Sequence, residues 1–125
     1  MNDNTKTLAE LLPNGHTYQN GIRPGERKLE QFRTALAIRQ TPPIYSQDGK
    51  GQDAIATVKI FNPAGSWTWY ITEWDGDTDA FGLVIGHERE LGYMDLRELA
   101  NVEGWRRIGL ELDMHWTPRP LRDCK

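Results

Sequence analysis

Residues 54–85 read AIATVKIFNPAGSWTWYITEWDGDTDAFGLVI, and this stretch decides the fold. Its middle, Ser66 to Trp74 (SWTWYITEW), alternates with a period of two. That places Trp67, Trp69 and Ile71 on one face of a strand, and Thr68, Tyr70, Thr72 and Trp74 on the other. Ala54 to Phe61 is rich in β-formers, and Ala80 to Ile85 supplies a third such segment. Asn62-Pro63-Ala64-Gly65 joins the first two as a hairpin connection, and Asp75 to Asp79 is the turn between the second and third. Connections this short leave no room for crossover helices, so the three segments predict an antiparallel meander.

On the N-terminal side, Glu26 to Arg39 carries Leu29, Phe32, Leu36 and Ile38 near helical spacing and stops before Thr41-Pro42-Pro43. That pattern predicts an amphipathic helix ended by proline. Tyr45 to Gly51 is polar and glycine-punctuated, hence a loop. Residues 1–25 hold one apolar cluster (Leu8, Leu11, Leu12) among turn signals, and are expected to form a short helix or an arm separable from a single domain over 26–125.

On the C-terminal side, Leu91 to Met94 reads as a short fourth strand. Asp95-Leu96-Arg97-Glu98 then opens a helix over 95–103, with Gly104 as its stop. Ile108 to Asp113 alternates as a last strand, ended by Thr117-Pro118-Arg119-Pro120. The fold class is α+β: a small antiparallel sheet with an N-terminal amphipathic helix and a short helix near 95–103.

The 125 residues suit one domain, and twelve aromatic side chains, five of them Trp, give it bulk to bury. No apolar run approaches the roughly 20 residues of a membrane span, and the N-terminus lacks a secretory pattern, so the expectation is a cytoplasmic protein without membrane association. The lone cysteine, Cys124, excludes an internal disulfide and a cysteine-based zinc site, and lies in a tail expected to fray. The net charge is −3, and the acid is concentrated: residues 73–103 hold nine Asp/Glu against two Lys/Arg. That balance disfavours a generic DNA-coating role.

Glu73 to Asp79 (EWDGDTD) invites a calcium-loop reading, but the template begun at Asp75 wants glycine where Ala80 stands and glutamate where Gly86 stands. An acidic hairpin turn accounts for it. His16, His87 and His115 have no metal-ligand spacing, no nucleophile elbow is present, and Gly49-Lys50-Gly51 lacks the frame of a phosphate loop. No catalytic residue, metal or cofactor is expected. Two surfaces stand out instead. One is acidic: Glu73, Asp75, Asp77, Asp79, Glu88 and Glu90, expected to gather at a common edge and meet a basic partner. The other pairs Trp67 and Trp69 with Lys59, Arg106, Arg107 and Arg119 as a nucleobase-stacking platform. Burial of the tryptophans is the simpler reading of that strand.

Four blocks, PIYSQDGKG (43–51), VKIFNPAGSWTWYITEWDGDTDAFGLVIG (58–86), ELGYMDLREL (90–99) and LELDMHWTPRPL (110–121), resemble in order and content the domain-of-unknown-function family numbered 2958. The resemblance covers Pro43 to Leu121. Two stretches depart from it: Met1 to about Gly25, and Glu103 to Arg107 in place of an arginine-glycine-proline turn. It implies no catalytic residue or cofactor. It does imply a short bacterial or phage protein of a kind often encoded on plasmids and other mobile elements, sometimes near antirestriction and conjugation genes. The resemblance and the charge together suggest a non-enzymatic accessory protein that binds a host protein, such as a defence nuclease complex (anti-CRISPR or anti-restriction). The alternative is a nucleic-acid-binding factor in element transfer or replication.

Overall fold

The computed structural model describes residues 5–11, 24–102 and 108–125. Two helices, α1 (Leu8–Leu11) and α2 (Pro24–Ile38), come first. Strands β1 (Ile55–Ala56), β2 (Val58–Phe61), β3 (Thr68–Trp74), β4 (Asp79–Ile85) and β5 (Arg89–Asp95) follow. Helix α3 (Leu96–Ala100), then β6 (Glu111–Leu112) and β7 (Arg119–Pro120), complete the α+β domain. Among the described residues, no helix is long and apolar enough to cross a membrane.

The meander forms as its turns predict. The main sheet has the order β5-β4-β3-β2-β6, and every neighbouring pair is antiparallel. The segment expected as one strand over Ala54–Phe61 breaks at Thr57, whose N–H donates to Ile71 O at 2.8 Å. Beyond that break β1 leaves the sheet and pairs with β7, Ile55 opposite Pro120 and Ala56 opposite Arg119. The last strand, expected over Ile108–Asp113, is confined to β6 and ends before the prolines, while Pro120 joins the ribbon, which tolerates it because no further strand among the described residues needs its missing N–H. Helix α3 is shorter than 95–103. Asp95 caps it, Oδ1 accepting from Arg97 N at 2.9 Å, and the expected stop at Gly104 lies outside the described residues.

Both faces of the sheet are covered. On one, α2 and α3 bring Phe32, Leu36, Leu96 and Leu99 onto Val58, Ile60 and Ile71. On the other, the C-terminal segment packs Trp116, Leu121 and Cys124 against Tyr70 and Leu83. Charge holds that segment down: Arg89 donates to Cys124 O at 2.7 Å and Leu121 O at 2.8 Å, and Tyr70 OH donates to Lys125 O at 2.6 Å. Cys124 thus corrects the expectation of a frayed tail. It is 2% exposed, and burial pushes its thiol pKa up to about 11.

The arm also contributes to the core. Leu8 is 1% exposed among the α2-side residues, and Ala9 N donates to Met114 O at 2.9 Å. That anchor ties Leu8 and Ala9 to the α2-side core; Leu12 lies outside the described residues.

Two outcomes follow. Leu8→Ala should lower unfolding free energy by about 2–4 kcal/mol, measured as a shift in urea midpoint with unchanged slope; a loss below about 0.5 kcal/mol would show the arm to be dispensable. Cys124 should resist a thiol reagent at pH 8 in the native protein and react at once in denaturant, because both burial and the raised pKa suppress its thiolate.

Candidate functional site

A bulge in β3 arranges this site. Register runs Ile71 opposite Gly82 and then Glu73 opposite Phe81, leaving Thr72 as the extra residue. A bulge turns the following side chains to the face opposite the one that simple alternation assigns. Trp74 consequently packs on the α2-side core with Trp69, while Glu73 turns to the tail side, where it is 4% exposed.

A buried carboxylate needs donors, and the loop after α2 supplies them. Glu73 Oε1 accepts from Tyr45 N at 2.9 Å, and Oε2 from Gln47 N at 2.8 Å. The Gln47 side chain takes up the carbonyl the bulge leaves free: Nε2 donates to Thr72 O at 2.7 Å and Ile55 O at 2.9 Å, while Oε1 accepts from Ile55 N at 2.6 Å. Trp74 N donates to Pro42 O at 2.9 Å just ahead of this. The loop is thereby pinned from Pro42 to Gln47 above the sheet.

Between loop and sheet lies a groove of about 390 Å³. Glu73, Phe81 and Tyr93 occupy one row across β3, β4 and β5, and Leu91 sits one row on along β5. The Phe81 and Tyr93 rings meet edge to face at 4.9 Å. Tyr45 stands at the mouth, 70% exposed, its backbone in the left-handed region at φ 74°. A bulky residue rarely adopts that conformation without being held there, and the hydrogen bond its backbone N–H donates to Glu73 holds it. A hydrogen bond with the Tyr45 hydroxyl raises the Tyr93 pKa, helped by desolvation and by the charges of Tyr45, Glu73 and Asp48. Among the described residues, no Lys, Arg or His lines the groove.

The acidic residues singled out from sequence do not form one edge. Asp75 Oδ1 accepts from Asp77 N at 2.8 Å and Asp79 N at 3.1 Å, closing the β3–β4 turn, and Asp77 pairs with Arg33 at 3.0 Å. Glu88 and Glu90 lie at the β4–β5 turn. The seven-residue β4 separates the two ends by roughly 20 Å. Glu73 belongs to neither, being buried. At the first end, the Arg97 guanidinium and amide hold the Asp95 carboxyl below its ordinary pKa.

Of the proposed stacking platform, the structure brings Trp67 and Trp69 together, their ring centroids 6.0 Å apart, and sets Lys59 and Arg119 elsewhere. Lys59 pairs in register with Tyr70 on the tail side and lies 3.4 Å from Asp113, and Arg119 covers the Trp116 ring. Trp69 packs on the opposite face. Trp67, 39% exposed, lies across Gly86, where a Cβ would come 2.6 Å from the ring, and meets His87 edge-on at 5.5 Å. His115 is exposed; His16, Arg106 and Arg107 lie outside the described residues. Among the described residues, no three His, Cys, Asp or Glu side chains converge as metal ligands.

Sequence reading missed Tyr45, Gln47, Phe81 and Tyr93. For Tyr45 and Tyr93 the signal is an aromatic ring in polar, glycine-containing sequence (PIYSQDGKG and ELGYMDLREL), whereas nothing local marks Gln47 or Phe81 or shows that the four meet. The family described as "Protein of unknown function (DUF2958)" matches residues 29–121, about three quarters of the chain, and the chain belongs to it. The match takes in most of α2 as well as the four blocks. Neither the curated proteins nor the solved structures give a match.

Glu73→Gln should destabilise the protein by about 2–3 kcal/mol, because the amide C=O can accept only one of the two loop N–H bonds and the NH₂ sets a donor against the other. Asp48→Asn, at an exposed position of the same loop, should stay within about 0.5 kcal/mol. Urea denaturation of the two variants measures the contrast; equal small losses would mean that the loop stands without Glu73.

Proposed function

We propose that this member of the family works by binding a protein, not by covalent chemistry, and that its working surface is the groove side of β5. One observation carries the reading: Tyr45, Leu91 and Tyr93 are 70%, 48% and 61% exposed beside one another on a pinned loop and an outer strand. Large side chains grouped this way on an otherwise well-packed domain mark interaction sites more often than isolated ones do. Among the described residues, β5 pairs with β4 alone, so its outer edge offers unpaired N–H and C=O groups to an incoming chain.

The partner is a basic host protein, met at the groove and not at the acidic turns. The split of the acidic turns argues against one phosphate-like edge, whereas Glu73 and Asp48 both line the groove. A counter-defence role on a mobile element is one setting for such a module, and its support is the family resemblance and the acidic charge balance. Nucleic-acid binding gains no comparable support, because its residues are divided between two faces or fall outside the described residues.

A photo-crosslinking amino acid at Tyr93, compared with one at exposed Glu98 on α3, tests the reading in a bacterial host expressing the full chain. A discrete protein adduct from position 93 and none from 98 is expected. Adducts to nucleic acid, or the same adducts from both positions, would contradict it.

A further inference from the structure

The chemistry of the groove specifies what it accepts. Tyr45, Phe81 and Tyr93 offer rings, whose faces carry negative potential, and Glu73 and Asp48 add two carboxylates. No basic side chain among the described residues lines the groove. An anionic ligand would meet uncompensated repulsion. A purely apolar one would strip water from the exposed Asp48 carboxylate without replacing it. A cation on a flexible apolar stem satisfies both halves of the lining, its charge near the carboxylates and rings and its methylenes against Leu91.

We propose that the groove takes the charged end of an arginine or lysine side chain, presented by an extended segment of a partner that adds to the outer edge of β5. This rests on the protein-binding reading above and names its ligand chemistry. Strand addition and the groove are geometrically compatible. Tyr93 and Leu91 lie on the groove face of β5, and alternate side chains of an added strand project to that same face. Backbone pairing would supply sequence-independent attachment, and the groove would select the cation.

Two capped pentapeptides serve as probes: acetyl-Thr-Val-Arg-Val-Thr-amide and its counterpart with citrulline, which keeps the shape of arginine and lacks the charge. Each is titrated to millimolar concentration against the nitrogen-15-labelled full chain. The arginine peptide should move the amide signals of Tyr45, Gln47, Tyr93 and Met94, and the citrulline peptide should bind about fivefold more weakly. Tyr93→Ser and Asp48→Asn, both at exposed positions, should each weaken the arginine peptide by about two- to fivefold. Asp48→Asn should leave the citrulline peptide unchanged.

Equal binding of the two peptides would overturn the cation assignment, and so would the absence of shifts from either at millimolar concentration. The crosslink from position 93 decides separately whether the surface binds protein. Its persistence alongside a failed peptide test leaves the reading standing without this ligand; its loss removes the reading itself.

Discussion

A single carboxylate organises the tail-side half of this molecule. Glu73 is nearly inaccessible to water and accepts one backbone N–H on each oxygen, from Tyr45 and from Gln47. Burying an ionised group is costly unless donors replace its hydration, and charge-assisted bonds to main-chain amides do this well. The dependence runs both ways. The loop from Pro42 to Gln47 has few buried side chains of its own, so its place above the sheet rests on Glu73, on the Gln47 side chain and on the Trp74 N bond to Pro42 O, and Glu73 is the one of these that holds the left-handed Tyr45. The bulge at Thr72 comes first in this chain of causes, since it aims Glu73 inward and frees the carbonyl that Gln47 takes.

This arrangement explains how a small domain both buries its sheet and keeps an open groove. The helices pack on one face and bury Val58, Ile60, Ile71 and Met94 there. The other face is shared: the C-terminal segment covers Tyr70 and Leu83, and the pinned loop stands over the neighbouring row of Glu73 and Phe81. Between these two covers the β5 side stays accessible. Arg89, at the start of β5, ties the strand to the carbonyls of Leu121 and Cys124 and so fixes one boundary of the opening. Cover and groove therefore depend on the same few long-range hydrogen bonds.

Much of this was legible in the sequence, and what was not has a physical cause. The meander, the helix after Pro24 and the Asp95 cap are local signals: period-two alternation, short turns, and an acceptor at a helix start. Glu73 was read as one more surface acid because a bulge has no signature in SWTWYITEW, and one inserted residue reverses the faces of everything after it. The same slip put Trp74 on the wrong side. Leu8 and Cys124 were assigned to loose ends because their anchors, Met114 and Arg89, are distant in sequence. The candidate groove was invisible for the same reason, since Tyr45, Phe81 and Tyr93 come from three separate segments that only tertiary pairing unites.

The central claim is that Glu73 clamps the loop and thereby builds the groove, and amide hydrogen exchange tests it most directly. The N–H groups of Tyr45 and Gln47 lie in a segment without helix or strand, where exchange would ordinarily be fast. The account predicts that both exchange slowly in the native protein, approaching the rates of the β3 amides, and that Glu73→Gln accelerates both while leaving β3 protected. Fast exchange at Tyr45 and Gln47 in the unmodified chain, beside a protected β3, would contradict it.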